Sequence, residues 1–436
     1  MNIQYNQIKC GCLTKVTFYM KGVHMADLHE RDELALNPMP KEERIGWVAP
    51  LFNMLGCNIA LSELMLGATL IATMAFKDFV LASIIGNLIL VVILMLQGYI
   101  GYKEGLNTYV LSKGAFGEIG GKWLISILLA ITSFGWFGVQ TGVAGASIQA
   151  LAPEANLTLM IIISGVVMTL LAAFGFKVMA LMNYAAIPLL IILIVWGTVR
   201  AFGTLSGVSM IDFVPDGGST TSLLNAMNQV VGLVIVGAII SPDQLRYTKG
   251  VKDVFIIGFV GIAGISIMQQ VAAGVMAVST GTSDITLIFG ILGFGWYALV
   301  IVILAAVSTN ISNAYSGGLA LKTVLPNVTR TTLTLIAGAF GTILAATGIT
   351  SNFSSFLSVL SGLVPSIAGV MWCEYYIIQK KKFVIRDGIN ISAIVAWIIG
   401  CTTSFLTSNN GMGFPPINGI IVSAVIYFAL VKVVKK

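Results

Sequence analysis

The stretches FGWFGVQTGV (134–143) and AAVSTNISNAY (305–315) each lie midway along an apolar segment that is long enough to cross a lipid bilayer. Polar and indole side chains at that depth are costly unless they bind something. Hydroxyl and backbone oxygens suit a small cation, and an indole face with amides beside it suits a planar polar solute. The two stretches therefore indicate a secondary transporter whose binding site lies in the middle of the membrane.

The composition is that of a polytopic membrane protein. Hydrophobic residues make up 57% of the 436 residues and charged residues only 10%, whereas about 25% of a soluble protein is charged. The apolar runs are long and do not alternate, which excludes an outer-membrane β-barrel. Both histidines, His24 and His29, precede the first apolar run, and the five cysteines show neither zinc-binding spacing nor a disulfide framework. No nucleophile–base pairing or phosphate-binding loop is evident, so we expect neither an enzyme nor an ATP-driven pump.

Apolar runs of roughly 20 residues predict twelve transmembrane helices. They lie near 47–75, 79–101, 122–151, 156–176, 178–199, 222–242, 253–279, 292–321, 331–349, 353–378, 389–407 and 413–433. If the N-terminus is cytoplasmic, all but two of the 24 Lys and Arg residues fall on the cytoplasmic side, the exceptions being Lys77 and Arg200. This asymmetry predicts that both termini are cytoplasmic and that the protein lies in the cytoplasmic (inner) membrane. The net charge of +6 is therefore an orientation signal, and we expect no nucleic-acid partner.

Four predicted helices carry glycine or polar groups at similar depth. They are the first, with GCNIALSE (56–63), the third, with Trp136, the sixth, with VVGLVIVGA (230–238), and the eighth, with residues 308–313. In transporters, broken helices expose carbonyl groups and half-helix dipoles at this level. We therefore expect a binding site where these four helices meet.

The eighth helix combines hydroxyl and amide groups. One face, at i, i+3, i+4 and i+7 spacing, holds Ala305, Ser308, Thr309 and Ser312. The neighbouring face holds Asn310 and Asn313. Hydroxyls with free carbonyls would form an oxygen site for a small monovalent cation, and the amides would read the hydrogen-bonding edge of a ligand. The alternative is that the hydroxyls bond back to the preceding turn or bridge helices.

On the third helix, Trp136 and Gln140 are four residues apart and share a face. The indole would stack on a flat heterocycle while the amide bonds to its edge. The alternative is a packed tryptophan with a glutamine that bridges two helices.

Glu63 is the acidic residue well inside a predicted membrane span, and such a carboxylate is presumed functional. It could accept N–H groups of a substrate, balance the cation or carry a proton. The alternative is a structural bond to the backbone donors of a broken helix.

Five stretches stand in an order and spacing typical of one transporter family. They are KDFVLASIIGNLIL (77–90), GYIGYKEGLNTYVLSKGAFG (98–117), FGWFGV (134–139), STNISNAYSGGL (308–319) and FLSVLSGLVPSIAGVMWCEYY (356–376). From about Gly46 to the twelfth helix the chain resembles the nucleobase–cation symport-1 family, and within it the bacterial cytosine permeases.

The resemblance implies an all-α, leucine-transporter-like core, in which helices one to five and six to ten form inverted repeats. The expected parts are a cytoplasmic tail (1–46), the ten-helix core (47–378), and two additional helices with a cytoplasmic C-terminus (379–436). Residues 1–24 do not resemble the rest, so Met25 is a candidate for the true start.

The resemblance also implies a ligand set. The sodium ligands fall on backbone carbonyls of Gly56, Ile59 or Ala60 and Ala305, and on the hydroxyls of Ser308 and Thr309. The substrate residues fall on Trp136 for stacking, Gln140 and Asn310, and we add Asn313, Ser133, Gly232 and Glu63 from their position.

Some positions differ from the cytosine permeases. Ser133 stands where those permeases carry a glutamine, and Leu233 and Val234 replace a polar–aromatic pair in their broken sixth helix. The second ring of the stacking sandwich is therefore missing, unless Phe134 or Tyr315 supplies it. Glu63 stands where a small or neutral residue is expected, and it would favour bases rich in N–H donors.

The sequence thus predicts a symporter that imports a nucleobase or related heterocycle, cytosine or a purine first, with a cation, most simply sodium. The alternative is proton-coupled import, through Glu63, of another heterocycle such as hydroxymethylpyrimidine, hydantoin or allantoin. An amino-acid transporter of the same fold ranks lower, because Glu63 would oppose a carboxylate. We expect no cofactor besides the coupling ion, and no obligatory protein partner besides membrane lipid.

Overall fold

The computed structural model describes residues 37–173, 176–205 and 209–434. The predicted start at Met25 and the tail up to residue 36 lie outside the described residues. The helices are α1 (Val48–Asn58), α2 (Leu61–Ile71), α3 (Phe76–Glu104), α4 (Thr108–Ile119), α5 (Ser126–Leu151), α6 (Leu157–Ala173), α7 (Phe176–Thr204), α8 (Leu223–Ile239), α9 (Pro242–Leu245), α10 (Val251–Gly258), α11 (Ile265–Thr280), α12 (Ile285–Ile291), α13 (Gly295–Val324), α14 (Arg330–Ala346), α15 (Phe353–Leu363), α16 (Pro365–Trp372), α17 (Ile391–Asn409) and α18 (Pro415–Val434). Short π-helical turns join α4 to α5, join α10 to α11, and follow α16.

Each of the twelve predicted segments overlaps one of these helices or a consecutive set of them. Within the described residues, nine helical spans are long and apolar enough to cross a membrane by themselves. The pair α1–α2, bent by 51°, is a tenth span, and the shorter apolar helices α6 and α14 complete the set. The prediction of an all-α protein with about twelve transmembrane helices is confirmed.

The first span is broken at Ile59 and Ala60. The Ile59 N–H makes the last helical bond, 2.7 Å from the Leu55 carbonyl oxygen, and the backbone is extended at Ala60, with φ −134° and ψ 153°. The Ala60 carbonyl accepts a bond of 3.2 Å from the Glu63 N–H, which starts α2. Within the described part of the chain, no backbone N–H donates to the carbonyls of Gly56 or Ile59. A helix end without such partners leaves oxygen atoms available for another ligand.

The sixth span departs from the expectation of a break near Leu233 and Val234. The helix α8 is continuous from Leu223 to Ile239, and the chain kinks only after it, where Pro242 begins the short helix α9. Branched apolar residues fill α8 on both sides of Gly232, and none of them offers the backbone an alternative hydrogen-bond partner. Proline removes a backbone donor and so ends the run of helical bonds at the later position.

Besides α9, two short helices are absent from the sequence prediction. The helix α4 carries Lys113 and Glu118 and therefore has too little hydropathy to stand out. The helix α12 is only seven residues long, which is much shorter than a membrane span. Both lie between spans and position the spans that follow them.

The spans form two groups of neighbours around the middle of the protein. The broken helix α1–α2 packs against α10–α11, and α3 packs against α8. In the other group, α5 packs along α13, and α14 packs against α5 and α6. The helix α13 also contacts both halves of the broken helix, so the break at Ile59 and Ala60 lies where the two groups meet. The last two spans, α17 and α18, pack against each other and against α16.

Candidate substrate and cation site

Trp136 lies in the middle of α5 and is buried, with 9% of its surface exposed. Two rings of α15 contact it edge-on. The ring centroids lie 5.3 Å away for Phe356 and 6.3 Å away for Phe353, and both rings are inclined by 75° to the indole. Edge-to-face contacts orient an aromatic ring without covering its face. Trp136 is therefore held in a fixed orientation by α15, the first half of the tenth span.

The two rings proposed to complete a stacking sandwich have other partners. Phe134 stacks on Phe340, with a centroid distance of 6.0 Å and an angle of 15°. The ring of Tyr315 lies 4.0 Å below the Arg330 guanidinium. The aromatic partners of Trp136 in the structure are Phe353 and Phe356 instead. The signal in the sequence was their i, i+3 spacing at the start of the tenth predicted helix.

Gln140 is one turn from Trp136 and is 1% exposed. Its Nε2 donates to the Ser62 hydroxyl over 3.3 Å. Its Oε1 is buried and has no hydrogen-bond partner among the described residues. A buried acceptor without a donor costs about 1–3 kcal/mol, so such atoms are rare unless a ligand or water completes them. Ser62, which the sequence prediction missed, connects Gln140 to the first turn of α2.

Asn310 faces α5, but on a different side from Trp136. Its Nδ2 lies 3.0 Å from the Phe137 carbonyl and 2.9 Å from the Thr141 hydroxyl. Phe137 is about 100° around the helix from Trp136, at 3.6 residues per turn. Asn313 donates to the Asn310 Oδ1 over 3.2 Å. The structure thus joins the two asparagines to each other and to the scaffold of α5, one face away from Trp136.

Glu63 follows Ser62, the residue that accepts the hydrogen bond from Gln140. It is 1% exposed, and its two oxygens accept bonds of 2.7 Å from the Ser266 hydroxyl and from the Gln270 Nε2. Gln270 in turn accepts bonds from Ser83 and Asn87 of α3. The carboxylate therefore connects α2 to α11 and α3. A contact between Glu63 and the substrate stays a prediction. Its bonds to side-chain donors differ from the backbone bonds that were the alternative.

Further bonds anchor the broken helix to the seventh span. The Asn58 Nδ2 donates to the Gly261 carbonyl over 2.7 Å, and the Asn58 carbonyl accepts from the Gln269 Nε2 over 2.9 Å. Gly261 lies in the π-helical turn between α10 and α11, a geometry that is frequent at functional sites. Both sides of the break are thus bonded to one neighbouring span.

The predicted cation ligands come from two neighbouring elements, α13 and the broken first span. Ala305, Ser308 and Thr309 are buried in α13, which contacts α1 and α2. The Thr309 hydroxyl donates back to the Ala305 carbonyl over 3.1 Å, as in the alternative interpretation. As the donor in this bond, the Thr309 hydroxyl keeps its acceptor lone pairs for a cation. In the broken first span, Gly56, Ile59 and Ala60 are also buried.

Two predicted substrate residues make packing contacts. The Ser133 hydroxyl donates to the Leu129 carbonyl of its own helix over 3.0 Å. Gly232 lies in the continuous helix α8, where a Cβ atom would be 2.3 Å from the Leu357 carbonyl oxygen. Glycine there allows the close approach of α8 to α15. A substrate contact at either position stays a prediction.

The comparisons with known proteins agree with this architecture. Residues 38–428 match the family described as "Permease for cytosine/purines, uracil, thiamine, allantoin". The chain belongs to this family. The cytosine permease of Escherichia coli (strain K12) is 28% identical over 411 residues, which cover 92% of this chain and 95% of that protein.

Two solved structures resemble the fold. Mhp1, a nucleobase–cation symport-1 family transporter solved in a closed conformation with bromovinylhydantoin bound, is 20% identical and has a TM-score of 0.79; the match covers 92% of this chain and 95% of that chain. A Na⁺-coupled sialic acid symporter in a substrate-bound outward-open state is 11% identical with a TM-score of 0.65, covering 97% and 94%. The chain is therefore a multi-pass membrane transporter of the leucine-transporter-like fold, and not an enzyme.

Proposed function

We propose that this protein imports a nucleobase or a closely related planar heterocycle across the inner membrane together with a sodium ion. The observation that carries the proposal is a pair of side chains one turn apart. Trp136 is held edge-on by two phenylalanine rings, and the buried Gln140 oxygen has no hydrogen-bond partner among the described residues. A flat ring can stack on the indole face while one of its N–H groups donates to Gln140. Family membership and the 28% identity to a cytosine permease support a heterocycle as substrate.

The cation is proposed to bind between the broken helix and α13. The candidate ligands are the carbonyls of Gly56 and Ile59, to which no backbone N–H of the described residues donates, the carbonyl of Ala305, and the hydroxyls of Ser308 and Thr309. These are neutral oxygen donors, which suit a monovalent cation better than a divalent one. The sialic acid symporter that shares this fold is Na⁺-coupled, which supports sodium as the coupling ion here.

Coupling follows from the short chain that joins the two sites. The predicted cation ligand Ala60 is two residues from Ser62, whose hydroxyl accepts the bond from Gln140. A cation that fixes the backbone at Ala60 thereby also fixes the Ser62 hydroxyl, which holds the side-chain amide of Gln140. Each ligand must then raise the affinity of the other by the same factor. Rocking of the two groups of helices around this site would give alternating access.

Labelled-cytosine uptake into proteoliposomes, with and without an inward sodium gradient at fixed pH, tests the proposal. We expect sodium to stimulate uptake and an excess of unlabelled cytosine to abolish it. A panel of purines, uracil and hydantoin as competitors would then order the substrates. Uptake that ignores sodium and follows a proton gradient would overturn sodium coupling and favour the proton-coupled alternative. Folded protein that neither binds nor transports any of these compounds would overturn the proposed substrate class.

A further inference from the structure

Lys381 carries a charge that no carboxylate of the described residues neutralises by an ion pair. It lies in the loop of residues 379–386, between the π-helical turn after α16 and the start of α17. Its ammonium group lies 5.7 Å from the ring centroid of Tyr99 and 5.8 Å from that of Tyr376. The two rings are stacked, with centroids 6.2 Å apart. A cation–π contact of this kind leaves the N–H donors of the ammonium available to an anion.

The loop that carries Lys381 is held in one conformation by its own hydrogen bonds. The Gln379 side chain closes it, because its Oε1 accepts from the Val384 N–H over 3.0 Å and its Nε2 donates to the Val384 carbonyl over 2.8 Å. The Lys381 N–H donates to the Tyr375 carbonyl over 2.8 Å. Lys380 and Lys381 have positive φ angles of 51° and 63°, which are uncommon outside glycine. A loop that is fixed in advance loses little conformational entropy when it binds a ligand.

Lys381 belongs to a run of three exposed lysines, Lys380, Lys381 and Lys382. Within the part of the chain that the structure describes, none of their ammonium groups forms an ion pair. Arg386, at the end of the same loop, differs because it pairs with the buried Glu374. The loop thus presents three positive charges without anionic partners at the end of a membrane span. Anionic lipids attract basic segments at this level, and each lysine near the surface strengthens the attraction.

An apolar stripe on α3 leads to the two tyrosine rings. It consists of Leu88, Val92 and Leu96, which are 41%, 56% and 38% exposed and share one face of the helix with Tyr99. The Tyr376 hydroxyl donates to the Leu96 carbonyl over 2.6 Å, so the rings lie at the end of the stripe. Tyrosine is enriched at the level of the lipid headgroups. Stripe, rings and lysines therefore follow the order of acyl chain, interface and headgroup in a phospholipid.

We propose that Lys380, Lys381 and Lys382, together with Tyr99 and Tyr376, bind the headgroup of an anionic phospholipid whose acyl chain lies along the apolar stripe. The ligand class is a lipid phosphodiester with a net negative charge, for example phosphatidylglycerol. Phosphatidylcholine carries the same phosphate, but its quaternary ammonium opposes the lysines. The site lies away from the candidate substrate and cation site, so the inference does not depend on which solute is transported.

Native mass spectrometry of the purified full chain in a neutral detergent would measure the binding, with dioleoyl phosphatidylglycerol and dioleoyl phosphatidylcholine as probes. One lysine near a membrane surface contributes about a fivefold factor in affinity for an anionic lipid. Three lysines therefore predict that the wild type prefers phosphatidylglycerol by about a hundredfold. In the triple variant Lys380→Gln/Lys381→Gln/Lys382→Gln, we expect this preference to fall to about twofold or less. Lys381→Arg keeps the charge and the ring contact, so it should bind as the wild type does.

The triple variant Lys41→Gln/Lys249→Gln/Lys252→Gln is the matched control. It removes the same charge from three other exposed lysines, and these have no ring contact or ion pair among the described contacts. We expect it to keep the preference of the wild type. Glycerol 3-phosphate serves as a competitor that has the phosphate but no acyl chain. At millimolar concentration it should leave bound phosphatidylglycerol in place, because the apolar stripe contributes to the binding of the lipid alone.

Four results would overturn the inference. Equal binding of the two lipids by the wild type would show that there is no anionic-lipid site. An unchanged preference in the variant of residues 380–382 would show that these lysines do not form it. An equal loss in the control variant would show a general effect of net charge, and displacement by glycerol 3-phosphate would identify a free phosphate as the ligand. If the triple variant does not fold, Lys381→Gln replaces it, with an expected loss of about fivefold; an unchanged preference there refutes the site equally.

Discussion

Replacing Gly232 by alanine tests how closely α8 and α15 approach each other. The added Cβ would lie 2.3 Å from the Leu357 carbonyl oxygen and 2.9 Å from its carbonyl carbon. Non-bonded carbon contacts prefer about 3.5 Å or more, so the two helices must separate by about 1 Å. Overpacking of this kind costs about 1–3 kcal/mol, and the upper end applies because the neighbour is backbone and cannot rotate away. Alanine recovers about 1 kcal/mol of helix propensity, which leaves a net loss of about 2 kcal/mol.

Gly237→Ala is the matched control on the same helix. Its Cβ would meet only the Val234 side chain, at 3.8 Å, which is ordinary contact. We therefore expect Gly237→Ala to be neutral or to stabilise the protein by up to about 1 kcal/mol. Thermal unfolding of the purified protein in one detergent would compare the two variants with the wild type. The predicted order of stability is Gly237→Ala, wild type, Gly232→Ala.

The same variant tests the prediction that Gly232 contacts the substrate. The helix α15 carries Phe353 and Phe356, which hold Trp136, so a displaced α15 should lower both stability and cytosine affinity. A Gly232→Ala protein that is as stable as Gly237→Ala would refute the packing argument. If it were fully stable and yet failed to bind cytosine, a direct substrate contact at Gly232 would be the better explanation.

Three further variants give separate tests. Trp136→Ala should weaken cytosine binding by about tenfold to a hundredfold, since stacking of a base on an aromatic ring is worth about 1–3 kcal/mol. Trp136→Phe should recover most of the lost affinity. If calorimetry gave Trp136→Ala the affinity of the wild type, stacking would be refuted. Thr309→Ala should raise the sodium concentration for half-maximal uptake by about tenfold, with little effect on uptake at saturating sodium. Thr323→Ala, which removes a comparable hydroxyl bonded to its own helix, should leave that concentration unchanged. A loss of uptake at every sodium concentration in Thr309→Ala would count against a ligand role. Arg386→Ala should destabilise the protein by about 3 kcal/mol. Arg386 forms a 2.8 Å ion pair with the buried Glu374, and removal of the guanidinium takes away the cationic partner of that carboxylate. An unchanged unfolding temperature of Arg386→Ala would contradict this prediction.

The fold could be predicted from the sequence because hydropathy is a local property. Twenty consecutive apolar residues form a spanning helix whatever their neighbours are. The break in the first span was also predictable, since glycine and polar residues at 56–63 lie at mid-depth. The sixth span shows the limit of such reasoning. Whether a glycine breaks a helix depends on what lies beside it, and at Gly232 a neighbouring carbonyl uses the space that the missing side chain leaves.

The site was less predictable, because its geometry depends on how helices are rotated against each other. The sequence placed Trp136 and Gln140 on one face, and the structure shows both buried at one level of α5. It could not show that Asn310 points to Phe137 and Thr141, or that Glu63 points to Ser266 and Gln270. Neighbouring residues on a helix are separated by about 100°, so a position at the right depth still leaves several partners open. Ser62 was missed because a serine beside a glutamate offers no distinct pattern.

The hydrogen bonds separate the polar groups into two sets that would remain intact during transport. The broken helix is bonded to the seventh span through Asn58 and Glu63, whereas Asn310 is bonded within the other group of helices. The Gln140–Ser62 bond crosses between the groups, and at 3.3 Å it is the longest of these bonds. In the proposed rocking motion we expect the short buried bonds to be kept and the longer bond across the boundary to change. A substrate that donates to the free oxygen of Gln140 acts on the same amide that makes this crossing bond. It is therefore in a position to bias the motion without direct contact to either set of shorter bonds.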